Sequence, residues 1–143
     1  MDSGPRLGKG ETALDFGCGS GVLAMAMAKC GAHKVWATDI DPQALLVARG
    51  NIDNNALDNI ELSLNKDLRS SQADVVVANI LLEPLIAEKP LIEQCITGGG
   101  QLVMTGILIE QANDLMAAFS PEFKLEVICT DQEWALVAGN QCG

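Results

Sequence analysis

Apolar residues follow two patterns that alternate along the chain. Short apolar runs, typical of strands buried in a parallel sheet, are separated by stretches in which apolar residues recur with a helical period. The predicted strands are 12–16, 34–38, 59–64, 73–78, 101–105, 123–129 and 134–138, and the predicted helices are 20–30, 42–54, 83–96 and 109–119. This order predicts an α/β fold in which helices cover both faces of a doubly wound, mostly parallel sheet of about seven strands.

Several residues mark where these elements begin and end. Asp41 followed by Pro42 is typical of a helix N-cap and first turn. Pro90 lies inside a helical pattern, which predicts a kink or two short helices. Residues 98–100 are all glycine and predict a turn. Only residues 130–133 separate the last two strands, so these strands must form an antiparallel hairpin, with one antiparallel strand at the end of the sheet.

Three glycines at alternate positions follow the first strand: Gly17, Gly19 and Gly21. Glycine lets the backbone turn tightly and lets a ligand lie against it, and the next helix points its free amide groups at that ligand. The loop is therefore predicted to hold a nucleotide-type cofactor. The dinucleotide fingerprint requires a glycine where Val22 stands, and the Gly-Lys-Ser/Thr ending of a Walker loop is absent.

Two acidic residues narrow the choice of cofactor. Asp15, just before the glycines, would repel a pyrophosphate but attract an ammonium group. Asp39, at the end of the second predicted strand, is placed to accept hydrogen bonds from ribose hydroxyls. S-adenosylmethionine satisfies both, because it combines a ribose with a cationic amino-acid tail and has no phosphate. A NAD-binding oxidoreductase domain is the alternative, against which Asp15 and Val22 argue.

Composition limits the partners and the compartment. The 143 residues carry a net charge of −10, from 9 basic and 19 acidic residues, which disfavours direct binding of nucleic acid and attracts a basic partner. The five cysteines form no Cys-x-x-Cys pair, as expected of reduced thiols in the cytoplasm, and no metal site is predicted. No apolar run approaches the roughly 20 residues of a membrane span.

The chain as a whole resembles one methyltransferase family. The resemblance lies in residues 74–81 (DVVVANIL), residues 105–108 (TGIL) with residues 110–112 after them, and the pair Glu133-Trp134. Together with the glycine loop, these segments are similar to the methyltransferases of ribosomal large-subunit protein eleven, which have a seven-stranded, Rossmann-like fold. The resemblance covers residues 12–139. It implies S-adenosylmethionine-dependent methylation of amino groups, on lysine side chains and the N-terminus of a basic ribosomal protein. Separately, we expect the chain to be a cytoplasmic monomer.

The resemblance also implies roles for individual residues. Gly17 and Gly19 would lie against the cofactor, and Asp39 would hold its ribose. Asn79 would line the methyl-transfer site. Asp67 stands where related enzymes contact the adenine. The cofactor-binding set is therefore Asp15, Gly17, Gly19, Asp39 and Asn79, and the catalytic residue is Asn79.

Amine methylation requires a neutral amine, whereas the unperturbed pKa of lysine is about 10.4. A closed, poorly solvated pocket would lower that pKa, and Asn79 or the carbonyl of Ile80 would accept a hydrogen bond from the amine. Ile80-Leu81 stands where many amino-methylating relatives have two prolines, which weakens the alternative of a nucleic-acid or small-molecule methyltransferase. Asn79 could instead be a helix cap or turn residue, and Trp134 is either a substrate contact or, more often for a strand aromatic, part of the core.

The chain is expected to form one domain. Residues 1–11 are predicted to be a flexible lead-in or truncated end, and residues 12–143 to be the S-adenosylmethionine-dependent methyltransferase domain. Members of the family also carry an N-terminal substrate-recognition domain and a Gly/Thr-rich segment before the first strand. We therefore expect an isolated catalytic domain that folds, binds the cofactor weakly and methylates its target poorly or not at all.

Overall fold

A seven-stranded sheet in the order β3-β2-β1-β4-β5-β7-β6 forms the centre of the molecule. The computed structural model describes residues 10–68 and 72–142; most of the predicted lead-in lies outside the described residues. The strands are β1 (Thr12–Phe16), β2 (Lys34–Asp39), β3 (Ile60–Leu64), β4 (Ala73–Asn79), β5 (Ile96–Leu108), β6 (Phe123–Asp131) and β7 (Trp134–Gln141). The helices are α1 (Val22–Lys29), α2 (Pro42–Asn54), α3 (Leu82–Ala87), α4 (Lys89–Cys95) and α5 (Ala112–Phe119), with 3₁₀ turns at Asn65–Asp67 and Ile109–Gln111.

The first five strands are parallel, and their carboxyl ends therefore lie along one edge of the sheet. β7 runs antiparallel to both of its neighbours, β5 and β6. The predicted fold class and the C-terminal hairpin are confirmed. The antiparallel strand itself does not lie at the end of the sheet, because β7 is inserted between β5 and the edge strand β6.

Helices cover both faces of the sheet because successive side chains of each strand point to opposite faces. On β4, Val76 and Ala78 join the core cluster that contains the buried residues of α3, α4 and α5. Val75 and Val77 join the cluster that contains buried residues of α1 and α2. The near-continuous apolar run of β4 is therefore explained by burial on both sides. None of the helices in the described residues has both the length and the apolar character needed to cross a membrane.

The predicted helix boundaries are confirmed at two places. The Asp41 side chain caps α2 by accepting a 2.9 Å hydrogen bond from the Gln43 N–H, and Pro42 is in the first turn. The helical stretch around Pro90 consists of two short helices, α3 and α4, joined at Glu88. Glu88 therefore sits at a corner of the backbone between two helices.

The three glycines at 98–100 do not form the predicted turn. They lie within β5, where the register against β4 shifts, so that Ala73 pairs with Ile96 but Val75 pairs with Gln101. Gly99 also donates its N–H to the Gln141 side chain at 3.1 Å. The glycines thus accommodate an irregularity inside a strand, and the pairing of β5 with β7 begins just after them, at Gln101.

Candidate functional site

A cleft of about 480 Å³ opens at the carboxyl ends of β1, β2 and β4. In open parallel sheets this edge, where the order of strands reverses, is where ligands bind. The reversal here lies between β1 and β4, since β2 and β3 extend from the other side of β1. Three residues predicted from the sequence, Gly17, Asp39 and Asn79, line this one cleft.

The glycine loop is fastened by backbone hydrogen bonds to β2. The N–H groups of Gly17 and Cys18 both donate to the carbonyl oxygen of Thr38, at 2.8 and 2.9 Å. Gly17 has a φ of +81°, and a Cβ at this position would lie 2.5 Å from Cγ2 of Ile80. Only glycine fits both the backbone conformation and the close approach of Ile80, and it leaves a bare stretch of backbone in the wall of the cleft.

The Asp39 carboxylate connects the glycine loop to the turn before α2. Its Oδ2 accepts from the N–H of Gly19 at 2.9 Å, and its Oδ1 accepts from the N–H of Asp41 at 3.0 Å. A carboxylate oxygen has room for more than one donor. Asp39 can therefore hold the loop and still accept hydrogen bonds from hydroxyl groups of a ligand in the cleft.

Asp15 lies behind the loop and does not line the cleft. Its side chain is only 2% exposed, and its Oδ2 has no hydrogen-bond partner in the described part of the chain. Burial raises its pKa to about 7; a hydrogen bond from the Ala24 backbone acts in the opposite direction, and the negative charge of Asp39 raises the pKa further. A buried oxygen without a donor is costly, and an ammonium group is the kind of partner that would satisfy it.

Cys18 has no reactive thiolate. Burial raises the pKa of its thiol to about 12, and the neighbouring charges of Asp15 and Asp39 act in the same direction. The thiolate is the nucleophilic form of cysteine. We assign this residue to packing of the loop.

Asn79 ends β4, and its side chain is exposed. The N-cap of α3 is Leu81, so Asn79 does not cap that helix. Gly106, with a φ of +79°, faces it from β5: a Cβ on Gly106 would lie 2.8 Å from Asn79 Oδ1 and 3.3 Å from the carbonyl oxygen of Ile80. Two acceptor oxygens therefore converge beside one glycine. The described residues do not enclose Asn79 in the closed, poorly solvated pocket that was expected.

A side-chain network in the same cleft was not predicted. The buried Thr38 donates its hydroxyl to Asn65 Oδ1 at 2.9 Å, and Asn65 Nδ2 donates to Glu88 Oε2 at 3.3 Å. Asn65 directly follows β3. In the sequence, only the position of Asn65 at a strand end pointed to this network. Its contact with Glu88 could not be predicted because Glu88 comes from a different part of the chain.

Asp67 and Trp134 lie elsewhere. Asp67 is exposed and does not line this cleft. Trp134, at the start of β7 opposite Leu108, is 45% exposed, so of the two alternatives considered for it the structure argues against burial in the core. Within the described residues no group of His, Cys, Asp and Glu is arranged to hold a metal ion.

Comparison with known proteins identifies the family. The model of the family described as ribosomal protein L11 methyltransferase (PrmA) matches residues 5–141. The chain belongs to this family. It is 47% identical to the ribosomal protein L11 methyltransferase of Thiobacillus denitrificans over 130 residues, which cover 91% of this chain and 44% of that protein. For Vibrio cholerae the identity is 46% over 136 residues, covering 94% of this chain and 46% of the relative. The chain thus spans about half the length of these relatives.

Solved structures agree with this membership in the L11 methyltransferase family. The ribosomal protein L11 methylase from Lactobacillus delbrueckii subsp. bulgaricus has a TM-score of 0.84 and 31% identity, covering 93% of this chain and 71% of that one. The tRNA (m1A58) methyltransferase TrmI from Aquifex aeolicus has a TM-score of 0.76 at 20% identity, covering 92% of this chain and 62% of that one. The second likeness shows the fold alone. The resemblance inferred from the sequence is confirmed.

Proposed function

We propose that the chain binds S-adenosylmethionine in the cleft and directs an acceptor amine to Asn79 for methyl transfer. The observation that carries this proposal is the meeting of Gly17, Asp39 and Asn79 at three neighbouring strand ends. Relatives named for methylation of ribosomal protein L11 support an amine of that protein as the acceptor. A net charge of −10 favours such a partner if it is basic, because opposite charges steer association.

The residues present fit the cofactor at two points. Gly17, which has no room for a Cβ beside Ile80, lines the cleft with backbone alone, and a ligand can lie against that backbone. The unpartnered oxygen of Asp15 lies behind the same loop, where the carboxylate attracts the positive charge of an amino-acid tail. Asp39, with room for further donors, would hold the ribose. Gly19 would keep Asp39 in position through its N–H.

On the acceptor side, the protein supplies orientation. The bound cofactor provides a methyl group already activated on a sulfonium, so no metal or nucleophilic side chain is required. Asn79 Oδ1 and the Ile80 carbonyl would accept N–H hydrogen bonds from the amine and point its lone pair into the cleft. Because Asn79 is exposed, we propose that the substrate itself covers it, and that this burial lowers the pKa of the amine. We place this reaction in the cytoplasm, carried out by a monomer.

Titration calorimetry with S-adenosylmethionine and, separately, with NAD tests the cofactor. We expect binding of S-adenosylmethionine only, and an Asp39→Ala variant that binds it about tenfold more weakly, since it loses hydrogen bonds to a charged acceptor. Binding of NAD alone would refute the proposal. Transfer of labelled methyl groups to purified ribosomal protein L11, with and without the chain, then tests the acceptor independently.

A further inference from the structure

A second cavity, of about 770 Å³, adjoins the cleft. Both are lined by Ile40, Asn65, Ala87 and Glu88, so the two cavities meet along these residues. Beyond this boundary the second cavity is lined on several sides by apolar side chains, among them those of Leu64, Leu68 and Leu91. A flat ring fits such surroundings, because apolar surface covers its faces while polar groups meet its edge.

The polar groups at the boundary are held in one arrangement. An ionised Glu88 carboxylate can only accept hydrogen bonds, so the NH₂ of Asn65 must face it. This leaves Asn65 Oδ1 to accept from the hydroxyl of the buried Thr38. The carbonyl of Thr38 in turn accepts from the glycine loop. A chain of hydrogen bonds therefore runs from the cofactor loop to the Glu88 carboxylate.

One oxygen of that carboxylate remains available. Glu88 Oε2 accepts from Asn65, whereas no donor among residues 10–68 and 72–142 contacts Oε1. Asp67, which was predicted to contact the adenine, lines neither cavity. Among the acidic side chains that the structure describes, Glu88 alone lines both cavities. It supplies an acceptor to a space that apolar side chains line together with Lys66 and Gln94.

We infer that Glu88 determines base specificity by accepting a hydrogen bond from the exocyclic amino group of a 6-aminopurine, and that Asn65 positions it. This inference rests on the proposed function, because it starts from a ribose held at Asp39 in the first cavity and a base beyond Ile40 in the second. A 6-oxopurine presents an acceptor at the same edge and is rejected, since its oxygen would face the carboxylate. Sites built around such a hydrogen bond discriminate far better than apolar pockets.

The test compares two nucleosides that differ only at this edge. Dissociation constants for S-adenosylhomocysteine and S-inosylhomocysteine are measured by titration calorimetry with the wild type and with Glu88→Gln, Asn65→Ala and Glu83→Gln. We expect the wild type to favour the adenosyl compound by about tenfold or more, as a hydrogen bond to a charged group implies. In Glu88→Gln the ratio falls to about threefold or less, because the amide rotates to donate to the 6-oxo group. Asn65→Ala gives an intermediate ratio.

Glu83→Gln is the matched control, since Glu83 is exposed on α3 and lines neither cavity. Its ratio should equal that of the wild type. An unchanged ratio in Glu88→Gln, or no preference in the wild type, overturns the inference and leaves the cofactor assignment intact. If the wild type binds neither compound, the cofactor assignment fails and the inference with it. Thermal unfolding of each variant confirms that it is folded, and Glu88→Ala replaces Glu88→Gln if that variant is not.

Discussion

The two walls of the cleft are built in different ways. The wall formed by β1 and β2 presents the backbone of Gly17 and the carboxylate of Asp39. Behind it, Thr38 is inaccessible, Asp15 is almost so, and the glycine loop is held by amide hydrogen bonds. The wall at the end of β4 presents Asn79, whose side chain is exposed, and the half-buried Ile80.

This difference separates binding from chemistry. In the first wall, the atoms that would hold the cofactor also hold the fold, so substitutions there should alter affinity and the free energy of unfolding together. In the second wall the side chains contribute little to folding, because exposed groups rarely do. Substitutions there should alter turnover alone. Three variants test this contrast.

Gly17→Ala should have the largest effect. The new Cβ would lie 2.5 Å from Ile80 Cγ2 in a backbone conformation that alanine rarely adopts. Strain and overpacking together should lower the free energy of unfolding by about 2–5 kcal/mol and abolish detectable binding of S-adenosylmethionine. Urea denaturation and calorimetry measure the two quantities.

Gly50→Ala is the matched control for this variant. Gly50 lies inside α2, and a Cβ there meets nothing within 4 Å. The same substitution should therefore stabilise the protein by about 0.5–1 kcal/mol. If both variants unfolded like the wild type, the first wall would not couple binding to folding.

Asn79→Ala should lower the rate of methyl transfer by about 100-fold, the cost typical of misplacing a reacting group. Its free energy of unfolding should stay within about 0.5 kcal/mol of the wild type, since the side chain is exposed. The assay is transfer of labelled methyl groups to ribosomal protein L11, under conditions in which the wild type is active. If the free energy of unfolding fell together with turnover, the two walls would not differ in the way we expect.

Asp15→Asn should change the pH dependence of stability. Because the pKa of Asp15 rises from 3.8 to about 7 on folding, its contribution is fully present below pH 3.8 and is lost as the pH rises through about 7. That loss is on the order of 4 kcal/mol. The variant should lack this decline and unfold less readily than the wild type at pH 8. Urea denaturation from pH 4 to 8 measures the free energy of unfolding of both proteins. Parallel curves of this free energy against pH for the variant and the wild type would contradict the prediction.

The same variant should bind S-adenosylmethionine about tenfold more weakly at pH 8, because an amide cannot pair with an ammonium group as a carboxylate does. In the wild type, affinity should rise as the pH passes about 7, since binding requires the ionised carboxylate. Calorimetry in two buffers of different ionisation enthalpy should then detect release of a proton on binding. At pH 8 we therefore expect Asp15→Asn to have a higher free energy of unfolding and a weaker affinity for S-adenosylmethionine than the wild type.

Trp134→Ala should have the smallest effect on folding, a loss within about 1 kcal/mol, because nearly half of the side chain is already exposed. Trp36→Ala provides the comparison, since Trp36 packs against the main core; it should cost about 3 kcal/mol. Thermal unfolding of both variants measures the difference. Equal losses would mean that the exposed aromatic contributes to the core after all.

Local signals in the sequence were sufficient where the cause of a structure is local. The Asp41–Pro42 cap, the break at Pro90 and the hairpin all depend on residues close together in the chain, and all three were predicted. The glycines at 98–100 were mistaken for a turn because their conformation depends on the register between β4 and β5.

The residues of the site divide in the same way between local and long-range causes. Gly17, Asp39 and Asn79 follow strand ends, and parallel strands bring their ends together, so their meeting could be predicted. Asn65 and Glu88 meet only because the α3–α4 corner packs over the end of β3, which no short pattern encodes. The sequence left Trp134 open between core and surface, because the burial of a strand aromatic depends on what packs against it in the fold.

The insertion of β7 has a consequence for the order of synthesis. β6 leaves the ribosome before β7, yet β6 touches the sheet only through β7. Until β7 emerges, β5 has an open edge and β6 has no neighbour to pair with. The nascent chain therefore exposes unpaired strand edges, which are prone to pair with other chains, for as long as β7 is still being made.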